Sequence, residues 1–106
     1  MNNLKIRKVV EKIADAVSPE RIILFGSQAR GDARRDSDID LLLVYSGSVP
    51  KRELKLRIYD LFPHPDFSMD LFVLTVDEFQ KQRRVANTVA READERGVVC
   101  YERNEG

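Results

Sequence analysis

One seven-residue run constrains this chain more than any other feature. Ile39-Asp40-Leu41-Leu42-Leu43-Val44-Tyr45 is apolar at almost every position. So short a run, bounded by polar and turn-forming residues, reads as a buried strand. Its exception is therefore informative. A carboxylate left unpaired inside such a strand is costly, and Asp38 stands two positions before it. Side chains at i and i+2 of a strand leave the same face, so Asp38 and Asp40 point together. Two like charges that close repel unless a cation sits between them. Hard oxygen ligands in that arrangement suit Mg²⁺, which also holds substrate phosphates.

The flanking sequence supplies the rest of a sheet. Arg21-Ile22-Ile23-Leu24-Phe25 is a second strand, and Phe67 to Leu74 a third that carries Asp70 between Met69 and Leu71. Ile6, Val9, Val10, Ile13, Ala14 and Val17 recur at helical spacing and predict an amphipathic helix over residues 3–17. Pro19 ends it, because proline disfavours the helical state in the residue before it. Leu54, Ile58, Leu61 and Phe62 predict a helix over 50–62, with Pro50 in its first turn. Thr75-Val76-Asp77-Glu78 has the form of a capping box. Val85, Ala86, Val89, Ala90 and Ala93 mark a last helix closed by Gly97, and Val98-Val99-Cys100-Tyr101 is an extended tail. The expected fold is α/β (α+β): a small mixed sheet of three or four strands, helices mainly on one face, the other face open to a ligand.

With 106 residues and no internal repeat or linker, the chain reads as one domain over 1–106. Lys+Arg and Asp+Glu are 18 each, so a general polyanion-coating role is disfavoured. No apolar run approaches the ~18 residues of a membrane span, and the N-terminus lacks the apolar stretch of a signal peptide. The single cysteine, Cys100, excludes an internal disulfide and a thiolate zinc cage, and reads as a small core or interface residue. A cytoplasmic home is expected. The single histidine, His64, lies between two prolines and reads as a loop residue.

Gly26-Ser27 follows the first strand and opens a short helical segment, Gln28 to Gly31. Glycine there lets backbone approach a ligand closely. The N–H groups of the next turn form an anion site, and the Ser27 hydroxyl adds a donor; the alternative is that Ser27 caps the helix. If the third strand neighbours the second, Asp70 reaches the pocket of Asp38 and Asp40. Three carboxylates with two metal ions form the usual clamp for in-line phosphoryl displacement. The alternative for Asp70 is an arginine partner, and Asp66 is a weaker ligand candidate.

Gly26-Ser27, ten residues, then Asp38-x-Asp40 resembles the signature of the nucleotidyltransferase superfamily that includes DNA polymerase beta. The fuller string, Phe25-Gly26-Ser27-x-Ala29-Arg30-Gly31 followed by Ser37-Asp38-Ile39-Asp40-Leu41, is similar to the minimal nucleotidyltransferases, or MNT domains. Gln28 departs from the arginine or aromatic residue common there. The resemblance implies a polymerase-beta-like nucleotidyltransferase fold. It implies that Gly26 and Ser27 hold the β- and γ-phosphates of ATP. Asp38, Asp40 and Asp70 would bind two Mg²⁺ ions, with Asp70 near the attacking hydroxyl. Arg30 would support the triphosphate, or else pair with Asp32 or Asp36. Arg34 and Arg35 read as solvated charges.

The resemblance further implies an antitoxin that transfers AMP to a tyrosine hydroxyl of a helical HEPN-type ribonuclease toxin, in a hetero-oligomer. Val98, Val99 and Tyr101 are candidates for that contact, or for the chain's own core. Two alternatives stay open: transfer to a small molecule such as an aminoglycoside, and a module that neutralises its partner by contact alone.

Overall fold

A computed structural model describes residues 3–31 and 38–103. The elements run α1 (Asn3–Val17), β1 (Arg21–Phe25), α2 (Ser27–Arg30), β2 (Ile39–Tyr45), α3 (Lys51–Tyr59), β3 (Met69–Thr75), α4 (Val76–Gln82), α5 (Val89–Arg96) and β4 (Val98–Glu102). The four strands form one sheet in the order β3-β2-β1-β4. β1 pairs antiparallel with β2 and β4, whereas β3 lies parallel to β2. That parallel pair needs a crossover, and α3 supplies it. The tail after Gly97 is the fourth strand, seated on the free side of β1.

The predicted stripe on α1 is the one that is buried: Ile6, Val9, Val10, Ile13 and Ala14 face the sheet. Together with Leu54 and Ile58 of α3 they pack on Ile22, Leu24, Ile39, Leu41, Leu43, Leu71 and Val73. The opposite sheet face carries a smaller core, in which Ile23, Phe25, Leu42 and Val44 meet Phe79 of α4 and Ala90 and Ala93 of α5. The longer helices therefore hold one face, and two short ones cover only part of the other. Burying a side chain such as Phe79 contributes about 1.5–3 kcal/mol, which fixes α4 to the sheet.

Several boundaries differ from the sequence reading: β3 is Met69–Thr75 rather than Phe67 to Leu74, and α2 is Ser27–Arg30 rather than Gln28 to Gly31. The α-helix α3 stops at Tyr59; the chain continues to Phe62 through tighter turns, Leu61 N–H to Ile58 O at 3.0 Å and Phe62 N–H to Tyr59 O at 3.1 Å. Pro50 is the residue before this helix, in an extended conformation, rather than part of its first turn. The last helix begins at Val89 rather than near Val85. Asn87 turns left-handed at φ 67°, and Thr88 caps the helix by accepting from the Arg91 N–H at 3.1 Å. Val85 is left 50% exposed. The Thr75–Glu78 capping box forms in both directions, at 2.9 and 3.1 Å. At Gly97 a side chain has no room: a Cβ would lie 2.6 Å from the Ile23 side chain.

Two tail residues face outward. Val98 and Val99 are exposed, while Tyr101 packs against the larger core. Cys100 is exposed and not in the core. It occupies the irregularity where β4 shifts register against Ile22 and Ile23, so the extra residue turns out of the apolar layer.

Candidate active site

Strand register brings the motif residues together. Phe25 stands opposite Asp40, and Asp40 stands opposite Asp70. Alternation places Asp38, Asp40 and Asp70 on the face that carries Leu42 and Val44. They lie at the end of that face, beyond the cover of α4 and α5. Phe25 and Phe72 form the apolar floor beside them, their rings 5.5 Å apart and tilted by 55°.

Asp40 is the centre of the group. Burial pushes its carboxyl above the ordinary carboxylate value, and the charges of Asp70 and then Asp38 push it the same way. A hydrogen bond with Asp70 adds to this, while Arg30 opposes it. Arg30 also pairs with Glu92 of α5 at 3.5 Å. Glu92 is a residue that sequence reasoning missed, since only the docking of α5 beside α2 brings it there. Asp32, Arg34, Arg35 and Asp36 lie outside the described residues, so the alternative pairing of Arg30 with Asp32 or Asp36 does too.

Gly26 is fitted to Asp40. It has φ 75° and ψ −156°, and a Cβ on it would overlap the Asp40 carboxylate. The backbone thus passes directly over the carboxyl group, a close approach that only glycine allows. Gly26 itself occupies the cap position of α2, with no capping side-chain hydrogen bond. Ser27 lies inside the first turn, so it is not the cap. Its neighbour Gly26 and the start of α2 border the same end of the sheet as Asp40.

A nucleotidyltransferase-domain family model matches residues 6–100. The chain belongs to that family, within the DNA polymerase beta superfamily. This nucleotidyltransferase domain matches no curated protein. Its fold resembles three solved structures. One is a Sulfolobus solfataricus protein assigned as a nucleotidyltransferase: 24% identity, TM-score 0.64, covering 95% of this chain and 80% of that one. Another is a toxin-antitoxin structure with AMP-PNP: 19% identity, TM-score 0.66, covering 92% and 73%. The third is a mutant of the toxin-antitoxin pair MntA-HpeT: 20% identity, TM-score 0.63, covering 97% and 75%.

Whether the nucleotidyltransferase domain suits a metal can be judged from its own donors. Among the described residues no three His, Cys, Asp or Glu side chains form a preformed metal cage. Mg²⁺ does not require one, since it takes one or two carboxylates and completes its shell with water and substrate phosphate. The mutual repulsion on Asp40 fits such an ion. Other candidates fall away from the site. Asp66 is exposed and pairs with Lys5, which holds its carboxyl below the ordinary range. His64 lies exposed in the bend after α3. No described helix is long and apolar enough to cross a membrane.

Proposed function

We propose that this nucleotidyltransferase moves AMP from ATP to a hydroxyl group, the acceptor being a tyrosine on a helical HEPN-type partner that it neutralises as an antitoxin. One observation carries the reading: Gly26, Asp40 and Asp70 stand on three adjacent strands or their ends, in a line across the sheet. An in-line displacement needs that order, with the leaving pyrophosphate at one end, the α-phosphorus in the middle and the attacker at the other. The fold likeness to a toxin-antitoxin structure holding AMP-PNP supports both the nucleotide and the kind of partner.

In this reading the backbone of Gly26 and the first turn of α2 hold the β- and γ-phosphates, with the Ser27 hydroxyl as a further donor. Arg30, whose charge already bears on Asp40, adds positive charge beside the triphosphate. Asp38, Asp40 and Asp70 would hold Mg²⁺, which when bound supplies charge neutralisation and a more acidic acceptor hydroxyl. The acceptor oxygen bonds to the α-phosphorus. The bond from that phosphorus to the pyrophosphate oxygen breaks, and pyrophosphate takes the electron pair. Asp70, on the attacker's side, receives the hydroxyl proton. A docked protein supplies the orientation of the attacking hydroxyl.

The test is to incubate the purified protein with ATP, Mg²⁺ and a helical HEPN-type protein from the same genome, and to measure intact masses. The expected result is one or more AMP units on the partner, located on tyrosine by peptide mapping. An unmodified partner alongside an efficiently modified aminoglycoside would replace this reading with the small-molecule one.

A further inference from the structure

Arg30 is shared between acids on different elements. Its guanidinium lies 3.5 Å from Glu92 of α5, and its charge bears on Asp40 of β2. We propose that Glu92 is a positioning residue: it draws Arg30 toward α5 and keeps the guanidinium from closing on the carboxylates that would hold Mg²⁺. The proposal rests on the reading of the aspartate end as the transfer site.

Packing does not fix the Arg30 side chain. α2 is a single turn, Ser27–Arg30, with no buried residue. It is held between two glycines of positive φ, Gly26 at 75° and Gly31 at 80°. Ala29 leans on the larger core, which anchors the turn but not the long side chain beside it. Where that side chain goes is then a matter of charge.

The aspartate end pulls on it. Asp70 and Asp38 both repel Asp40, and a nearby cation relieves such repulsion. The planar fork of an arginine fits a carboxylate edge with two parallel hydrogen bonds. An arginine seated that way on Asp40 would take the oxygens that Mg²⁺ needs. The site would then be neutralised by its own chain.

Glu92 supplies the opposing pull from a firm support. Ala90 and Ala93 of the same helix are buried in the smaller core, and Asp94 ties α5 to Arg83 at 3.0 Å. This helix covers part of the sheet face on which the aspartates stand. Glu92 has Arg96 four residues on in its own helix, the spacing at which acid and base pair locally. Among the described residues it pairs with Arg30 instead, while Arg91 and Glu95 form the local pair of that helix. A guanidinium has five N–H donors, so an edge held at Glu92 leaves others for phosphate oxygens.

The experiment measures binding of Mn²⁺, alone and with AMP-PNP, to the full protein. Mn²⁺ takes the same kind of oxygen ligands as Mg²⁺, and its unbound fraction is read by electron paramagnetic resonance. Glu92→Gln is expected to raise the dissociation constant of the ion about 3–5-fold, a size set by a pair that solvent partly screens. Arg30→Gln should bind the ion at least as tightly as wild type. In the Arg30→Gln background, Glu92→Gln should change binding by less than ~1.5-fold, because the guanidinium it restrained is gone. Weakening by the same factor with and without Arg30 would overturn the proposal, since Glu92 would then act only as one more negative charge. Unchanged binding in Glu92→Gln would overturn it too. Either result, with Mn²⁺ bound by the wild type, sinks the positioning role and leaves the transfer reading standing. A wild type that binds no Mn²⁺ in either condition sinks the transfer reading and the proposal with it.

Discussion

At the Glu20–Arg21 end of the sheet, charges of opposite sign interleave. Glu20 accepts from Ser46 at 2.9 Å and pairs with Arg103 at 3.4 Å, while Arg21 pairs with Glu102 at 3.6 Å. At the Gly26–Asp40 end, three carboxylates share one face, and Arg30, which bears on Asp40, is also engaged by Glu92. The two ends are made by the same strands, so the difference is not one of fold. One end is composed for stability and is worth little per pair, because its groups are solvated. The other keeps like charges together at a cost to folding, which a bound cation or phosphate-bearing ligand would offset.

The most severe way to break this contrast is Asp40→Asn. It should lower AMP transfer by more than ~100-fold, since it removes the central carboxylate of the trio. The same change should raise stability by about 1 kcal/mol at neutral pH, because it relieves both burial of charge and repulsion. Its pH dependence has a definite sign. The folded-state value of Asp40 lies above the ordinary 3.8, so the folded protein binds this proton more tightly than the unfolded chain does. The penalty is absent below 3.8, grows as pH rises through the elevated value and is complete above it. Urea midpoints of wild type and Asp40→Asn should therefore converge on acidification. A gap that persists or widens toward low pH would remove the charge explanation.

Gly26→Ala sharpens the comparison from the backbone side. Its Cβ would meet the Asp40 carboxylate from a left-handed backbone, and a loss of about 1–3 kcal/mol is expected. Combining it with Asp40→Gly, which opens the space, should recover part of that stability but none of the transfer activity. Thermal melts and a transfer assay on the same preparations check both halves. At the paired end, Arg103→Ala should change stability by under ~0.5 kcal/mol and leave transfer unaltered. A large effect there would mean that the two ends are less distinct than their charges suggest.

Much of this candidate site is legible in the sequence, and the reason lies in particular residues. Asp40 inside Ile39–Tyr45 violates the burial rule for its strand, and such a violation points to function. The helix α1 and the Thr75 capping box were legible because each is a local pattern that its own residues decide. What escaped depends on distant partners. Glu92 reaches Arg30 only after α5 docks, and the hydroxyl of Tyr59 finds β3 only after the crossover closes. The start of α5 was misplaced because Val85 and Ala86 fit a helical period, while Asn87 and Thr88 impose a turn and a cap that the apolar spacing does not register.

The pairing of β2 with β3 has a further consequence for how reliably the carboxylates are delivered. Sliding β3 by one residue would turn Asp70 into the core beneath α1 and α3 and push Leu71 and Val73 out to the other face. Such a slip would bury a charge and expose two aliphatic side chains at once. The alignment of Asp40 with Asp70 is thus proofread by their apolar neighbours, which take no part in the chemistry. Repelling groups are held side by side because the one-residue slip is worse for the oil around them.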